Sequence, residues 1–337
     1  MKKDNNAVIY WLLTGCFMIF IMVVVGGITR LTDSGLSISN YKLITGTVPP
    51  IGDAEWQEAF ELYKQYPEYQ KLHSHFTLED FKSIYFWEWL HRVIGRSIGL
   101  VFIIPFLYFL IKKRLTKKTI KKCLVLLSLG AFQGFLGWYM VKSGLVDMPD
   151  VSHFRLAAHL TTAFLTFAAT LWVALDLKFP DIKPANKPMK KFIIAGYIVL
   201  IIQIVYGAFV AGLKAGLLHN HWPMMNEGKF LHFSALTYEP FYLNLIENPS
   251  GIQFIHRTLA YLVVIFTYVI WRKSKSFSLT PEQKLGINAL VSLVLLQFIL
   301  GVFTILLQVP LWLGVAHQIG AFFLLTAMTF ALHRFSR

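Results

Sequence analysis

The chain has 337 residues, of which 55% are hydrophobic and only 15% charged, well below the quarter charged that soluble domains carry. Its formal net charge is +14, from 32 Lys and Arg against 18 Asp and Glu. The basic residues sit in short clusters between apolar runs rather than over a polar surface, which excludes a nucleic-acid footprint.

The first apolar run, near 8–29, follows directly on MKKDNNAVIYW. This start has neither a small-residue cleavage site nor the Arg/Ser-rich character of an organellar leader, so a bacterial inner membrane is the expected home. In the connection at roughly 30–87, Trp56, Phe60 and Tyr63 recur at i, i+4 and i+7 among acidic residues, which predicts an amphipathic helix capping the bundle or lying on its surface. Further runs follow near 90–111, 124–142, 155–176, 192–213, 253–271, 285–307 and 312–332. Each is close to the ~20 residues that cross a hydrocarbon layer as a helix, and all are too Leu/Ile/Phe-rich for barrel strands. The fold class is therefore an all-α polytopic membrane protein with eight transmembrane helices. Cys16 and Cys123, in or beside these runs, supply neither a disulfide framework nor a thiolate zinc site.

Lys and Arg collect in the connections 112–122, 178–191 (Lys178, Lys183, Lys187, Lys190, Lys191) and 272–284, and at Lys2, Lys3, Arg334 and Arg337. Eight spans put all of these on one side, which the positive-inside rule makes cytoplasmic. The long connections at roughly 30–87 and 214–252 fall on the other side with most of the acids, including Asp53, Glu55, Glu58, Glu61, Glu68, Glu79 and Asp80.

The two halves, 1–180 and 181–337, match in order. GGITRLTDSGLS from Gly26 stands opposite GAFVAGLKAGLL from Gly207, and EWLHRVIGR opposite QFIHRTLAY, aligning His91-Arg92 with His256-Arg257. Gln133 and Gly137 correspond to Gln297 and Gly301, and His159 to His317. This predicts two pseudo-symmetric four-helix bundles built by duplication. Four of the eleven histidines lie in spans, one in each even-numbered span and within about two turns of its expected start, at matched depth.

One imidazole in an apolar helix is usually a packed, hydrogen-bonded residue. Two matched pairs point further: facing neutral imidazoles can hold one iron from opposite sides, and haem is the planar group that fits between such helices. Zinc needs more protein ligands than a two-His pair offers. The pairs differ chemically. Glu88 stands one turn before His91, whereas Gln253 precedes His256. This nominates the N-terminal pocket for chemistry and the C-terminal pocket for electron storage, unless Glu88 simply faces the headgroups and pairs with Arg92 at i+4. Arg30, Arg92 and Arg257 at the outer edge can clamp propionates or anchor helices at the interface. His219 and His221 in HNHWPMM read as loop structure with no third metal partner. His73, His75, His153, His232 and His333 are expected to be solvated. Gly95, Gly99, Gly134, Gly137 and Gly301 are expected to permit close helix approach.

The ordered segments GGITRLTDSGLSIS, TGTVPP, EWQEAFELYKQYPEYQ, FKSIYFWEWLHRVIGR, RLAAHLTTAF, NPSGIQFIHRTLAY and LGVAHQIGAF resemble the haem A synthase family, in its proteobacterial and mitochondrial form, over nearly the whole chain. The extracellular Cys pair of the Gram-positive branch is missing, which disfavours a thiol-based mechanism. The resemblance implies oxidation of the C8 methyl of haem O to a formyl group, giving haem A for terminal oxidases. It implies His91 and His159 as the axial pair of the substrate-bearing bundle and His256 and His317 as the pair holding haem b. Glu88 then handles protons or orients substrate. Oxygen activation at iron after release of a ligand, and oxidation through the macrocycle followed by attack of water, both stay open. The partners implied are haem O, the haem O synthase, an electron donor, the lipid bilayer and a second copy of the chain. The rival readings are a di-haem b-type electron carrier and a duplicated transporter, whose midplane would rest only on Gln133, Gln203 and Gln297.

Overall fold

The computed structural model describes residues 5–38, 47–144, 149–180, 186–226 and 228–336. Lys2, Lys3, Lys183 and Arg337 of the basic clusters lie outside these, as do Thr45 and Gly46 of the TGTVPP segment. Among the described residues there are ten α-helices: α1 (Asn6–Leu31), α2 (Gly52–Tyr63), α3 (Leu78–Ile111), α4 (Lys117–Gly144), α5 (His153–Lys178), α6 (Lys187–Gly212), α7 (Leu243–Ile246), α8 (Pro249–Ser274), α9 (Pro281–Leu306) and α10 (Leu311–Ser336). Eight of them, all but α2 and α7, are long and apolar enough to span a membrane.

Helix starts follow local chemistry. Thr280 caps α9 through the Gln283 amide while the Gln283 side chain returns to the Thr280 N–H, with Pro281 at the first helical position. Asn248 caps α8 ahead of Pro249, its side chain accepting from the Ser250 and Gly251 N–H groups. The largest departure from the expected spans is α3. A Thr77–Asp80 capping box starts it at Leu78, so it runs more than three turns beyond the apolar stretch that began near 90. His91 therefore lies well inside its helix, while His159, His256 and His317 keep their places near the starts of α5, α8 and α10. The extra turns of α3 receive α2. Phe60, Tyr63, Phe81 and Ile84 form a buried cluster there, in which Phe60 and Tyr63 stack on Phe81 at 5.2 and 5.1 Å. The expected amphipathic helix is thus present and packs as a cap. Each such buried aromatic contributes about 1.5–3 kcal/mol.

In the membrane-spanning part, α1, α3, α4 and α5 pack in a closed circuit, and α6, α8, α9 and α10 in another. The circuits meet where α1 and α5 touch α10 and α5 touches α6. That junction holds the main core, including Phe164, Phe167, Leu200, Ile204, Phe322 and Met328, with Phe167 and Phe322 rings 4.0 Å apart. At the Lys/Arg-rich end, Asp176 on α5 accepts from His333 on α10 (3.0 Å) and pairs with Lys122 on α4.

Candidate functional site

Each of the four span histidines rests on a glycine of a neighbouring helix. A Cβ placed on Gly26 would stand 3.3 Å from Nε2 of His91, and one on Gly137 3.3 Å from Cε1 of His159. In the second circuit, Gly207 and Gly301 would bring a Cβ within 3.1 and 2.9 Å of Cε1 of His256 and His317. All four glycines lie within about two turns of the end of their helix. Gly26 and Gly207 are the residues that the sequence repeat pairs, as are Gly137 and Gly301. The ring–glycine seat therefore follows the duplication.

Four residues before three of these glycines stands a glutamine. Gln133 Nε2 donates to the His159 carbonyl (3.0 Å) and Gln297 Nε2 to that of His317 (2.9 Å), while Gln203 Nε2 lies 3.5 Å from Nε2 of His256. The fourth place is Met22, whose Cε lies 3.2 Å from a Cβ on Gly95. These three glutamines therefore each contact a span histidine. Gly95, Gly137 and Gly301 give space to side chains. Gly99 and Gly134 have nothing within 4 Å of a built Cβ, so close helix approach does not account for them.

The N-terminal pair carries an acid–base clasp. Glu88 is 2% exposed, so it does not face the headgroups. It does pair with Arg92, Oε1 to Nη2, at 2.5 Å. Its Oε2 accepts from Ser37 Oγ and from the Ile38 N–H, both at 2.7 Å. Arg92 donates to the Ile38 carbonyl at 2.9 Å. The clasp pins the turn after α1 onto α3. The matching position in the repeat is His219, whose carbonyl accepts from Gln253 Nε2 (3.1 Å) and Arg257 Nη2 (2.6 Å). The carboxylate thus holds an N–H where the amide holds a C=O, so the Glu/Gln difference suits two versions of one clasp.

The C-terminal pair opens on a cavity of about 390 Å³, within the range of small-molecule and cofactor sites, lined by His256, His317, Gln203, Arg257 and, from the first half, Gly27 and Arg30. Arg30 crosses between the circuits: Nη2 donates to the carbonyls of Ala211 (2.8 Å) and Gly212 (3.1 Å) at the end of α6, and Nη1 pairs with Asp33 at 2.8 Å. Lys214 meets Asp33 at 3.1 Å and Asp150 at 3.5 Å. A single helix separates the sites, since Gly26 faces His91 while Gly27 admits Gln318, which donates to the Val23 carbonyl at 2.9 Å.

The donor set fits a planar iron macrocycle with carboxylate arms. Nδ1 of His159 and of His256 is buried without a hydrogen-bond partner, as is Nε of both Arg30 and Arg257 on the cavity wall. Buried polar atoms of this kind need an acceptor or a metal. Among the described residues no group of three or more His, Cys, Asp or Glu could hold a metal ion by itself.

Other histidines depart from expectation. His333 is fully buried because α10 continues to Ser336 and turns that ring onto Asp176 and the edge of Trp172. His153 is buried where α5 crosses α6 closely enough that a Cβ on Gly212 would strike it, and its Nε2 lies 2.8 Å from the Ile246 carbonyl. His73 is half-buried and stacked on Phe76, and His232 is half-buried against Ser234. His75 and His221 are exposed. His219 is structural: its ring nitrogens lie 2.9 Å from Asn226 Oδ1 and 2.9 Å from Ser250 Oγ, and burial holds its pKa below the usual histidine value. The glycine seats and the Gln203–His256 contact were missed from sequence, although the Gln-x-x-x-Gly spacing recurs in three spans.

Residues 9–329 match the model of the COX15-CtaA family, described as cytochrome oxidase assembly proteins. The chain is 60% identical to the Heme A synthase of Flavobacterium johnsoniae over 342 residues, covering 100% of both proteins. It is 59% identical to that of Flavobacterium psychrophilum over 338 residues, covering 99% of this chain and 100% of the relative. For the Heme A synthase of Nitrosospira multiformis the identity is 44% over 331 residues, with 97% and 93% covered. With its four glycine-seated histidines inside a match of this extent, the chain belongs to the COX15-CtaA family.

Proposed function

We propose that this chain is a haem A synthase that binds haem O and oxidises its C8 methyl group to a formyl group, yielding haem A for terminal oxidases. The observation that carries the reading is the repeated seat, with four half-buried imidazoles, each on a glycine, in two matched pairs. The first 180 residues form the substrate bundle, in which His91 and His159 hold haem O. Residues 181–337 form the second bundle, in which His256 and His317 hold haem b, with Arg30 and Arg257 offering guanidinium donors to its propionates. When bound, the iron porphyrins supply the redox chemistry.

The chain's own groups set the conditions. Apolar side chains, among them Leu200, Ile204 and Val294, line the cavity beside His256 and His317. The Glu88–Arg92 clasp fixes the turn that borders the first site, which makes Glu88 a positioning residue. One helix between the sites gives electrons a short path.

The protein sits in a bacterial inner membrane with both termini in the cytoplasm, and the end bearing the two long connections faces outward. The clustering of Lys and Arg at the opposite end supports this orientation. The haem O synthase supplies substrate from the bilayer, a separate electron partner completes the cycle, and copies of the chain associate with one another.

The test is to purify the protein, extract its pigment and chromatograph it, with and without Glu88→Gln. Haem O and haem A beside haem B are expected, with less formyl product in the variant. Haem B alone, at two equivalents, would instead make the protein an electron carrier.

A further inference from the structure

The cap formed by α2 and the first turns of α3 contains a hydrogen-bonded chain that the site described above does not use. Tyr63, fully buried, places its hydroxyl 2.9 Å from Glu68 Oε2 and 2.7 Å from Nδ1 of His73. Glu68 is 3% exposed, whereas His73 is a partly exposed residue of the cap. A single hydroxyl thus joins a buried carboxyl to the imidazole of a residue that reaches the surface. Both hydrogen-bond directions are available. With Glu68 ionised, Tyr63 donates to it and accepts from Nδ1–H; with Glu68 protonated, the acid donates to Tyr63 and Tyr63 donates to Nδ1.

The chain stands over the N-terminal site. Tyr63 stacks on Phe81, and Phe81, Ile84 and Glu88 are buried together along α3, so Glu88 lies two turns, about 10 Å, below that stack. The charges that act on Glu68 include those of Glu88 on α3, Asp33 after α1 and Asp150 before α5. Those that act on His73 include Asp33, His75 and Lys214.

We propose that Glu68, Tyr63 and His73 form a relay that exchanges protons between the outer aqueous phase and the neighbourhood of Glu88. The proposal rests on the haem A synthase reading for its purpose, because removing hydrogens from a methyl group moves protons as well as electrons. A proton from water adds to Nε2 of His73, the Nδ1 proton passes to Tyr63, and the Tyr63 proton passes to Glu68. Three bonds to hydrogen break and three form, tyrosine ends neutral, and no electron moves. Burial pushes the Glu68 pKa up to about 8, although the Tyr63 hydrogen bond pulls it down, so the carboxyl can both take and release a proton near neutrality.

The experiment is infrared spectroscopy of the purified full chain in lipid nanodiscs, comparing wild type with Glu68→Gln, Tyr63→Phe and His73→Phe. The wild type is expected to show a protonated carboxyl band at neutral pH that is absent in Glu68→Gln and exchanges rapidly in heavy water. In Tyr63→Phe the band is expected to remain, to titrate at higher pH, and to exchange at least tenfold more slowly. His73→Phe is expected to slow exchange as well. No band, or exchange in Tyr63→Phe as fast as in wild type, would overturn the relay. Conversion of haem O, assayed on the same samples, is expected to slow in Tyr63→Phe; conversion equal to wild type would remove the relay from the reaction. A wild-type protein that converts no haem O would count against the proposed function, while the exchange rates would still decide the relay.

Discussion

His317 presses its Cε1 to within 2.9 Å of where a Cβ on Gly301 would stand, while Gln297 on the same helix as Gly301 holds the His317 carbonyl at 2.9 Å. One helix thus meets His317 at two levels, the ring at Gly301 and the backbone carbonyl at Gln297. Gly301→Ala is therefore expected to displace the ring, to cost about 1–3 kcal/mol through overpacking, and to abolish bound haem B measured as the pyridine haemochrome. Gly134→Ala, with nothing within 4 Å, is the control. It is expected to leave pigment unchanged and to stabilise the helix by about 1 kcal/mol. Equal pigment loss in both variants would break the link between seat and ligand.

The Glu88 clasp predicts graded losses. Ser37→Ala removes one donor from a buried carboxylate and is expected to cost about 1–3 kcal/mol. Glu88→Ala removes the carboxylate that pairs with Arg92 and accepts from Ser37 and the Ile38 N–H, and is expected to cost more, about 3–5 kcal/mol. Thermal unfolding in detergent, followed by circular dichroism, checks the order. A Ser37→Ala effect as large as that of Glu88→Ala would contradict the arrangement.

Arg30 ties the first half of the chain to the end of α6 and also walls the cavity of His256 and His317. Arg30→Gln is expected to lower affinity for haem B added to pigment-free protein by tenfold or more, while secondary structure is retained. Absorbance titration measures this. An unchanged affinity would confine Arg30 to holding the junction.

Glu68 predicts a pH dependence of stability. Its carboxyl titrates near the ordinary value of 4.5 when unfolded and at about 8 when folded, chiefly because it is buried. Between those values the folded chain holds a proton that the unfolded chain does not. Its contribution is therefore complete below about pH 4.5 and is lost as the pH rises through about 8. Glu68→Gln is expected to remove that slope from apparent unfolding temperatures measured across the interval. A slope identical to wild type would show that Glu68 is ionised in the folded protein.

Much of this was legible in the sequence because span length and charge bias follow from the bilayer itself. Span length announces every crossing helix, and the duplicated frame marks His91, His159, His256 and His317 as equivalent. The start of α3 was not legible, because Phe81, Tyr85 and Trp87 sit among Lys and Glu and break the apolar run even though Thr77 and Asp80 supply a clear cap. The glycine seats were hidden for another reason. Gly137 and Gly99 carry the same letter, yet one faces a ring and the other faces nothing nearby, a difference set by helix rotation. His333 read as a solvated terminal residue because its partner, Asp176, lies far away in sequence. Tyr63 read simply as part of an apolar stripe, although its hydroxyl joins two titratable groups.

The pairing of ligands is tested by counting tetrapyrroles in purified wild type, His91→Ala and His256→Ala by chromatography and reduced-minus-oxidised spectra. Wild type is expected to carry haem B together with haem O or haem A. His256→Ala is expected to lose haem B while keeping the substrate pigment, and His91→Ala is expected to do the reverse. Colourless wild-type protein from cells well supplied with haem, or variants whose pigments match those of wild type, would contradict the assignment of two separate histidine-held sites.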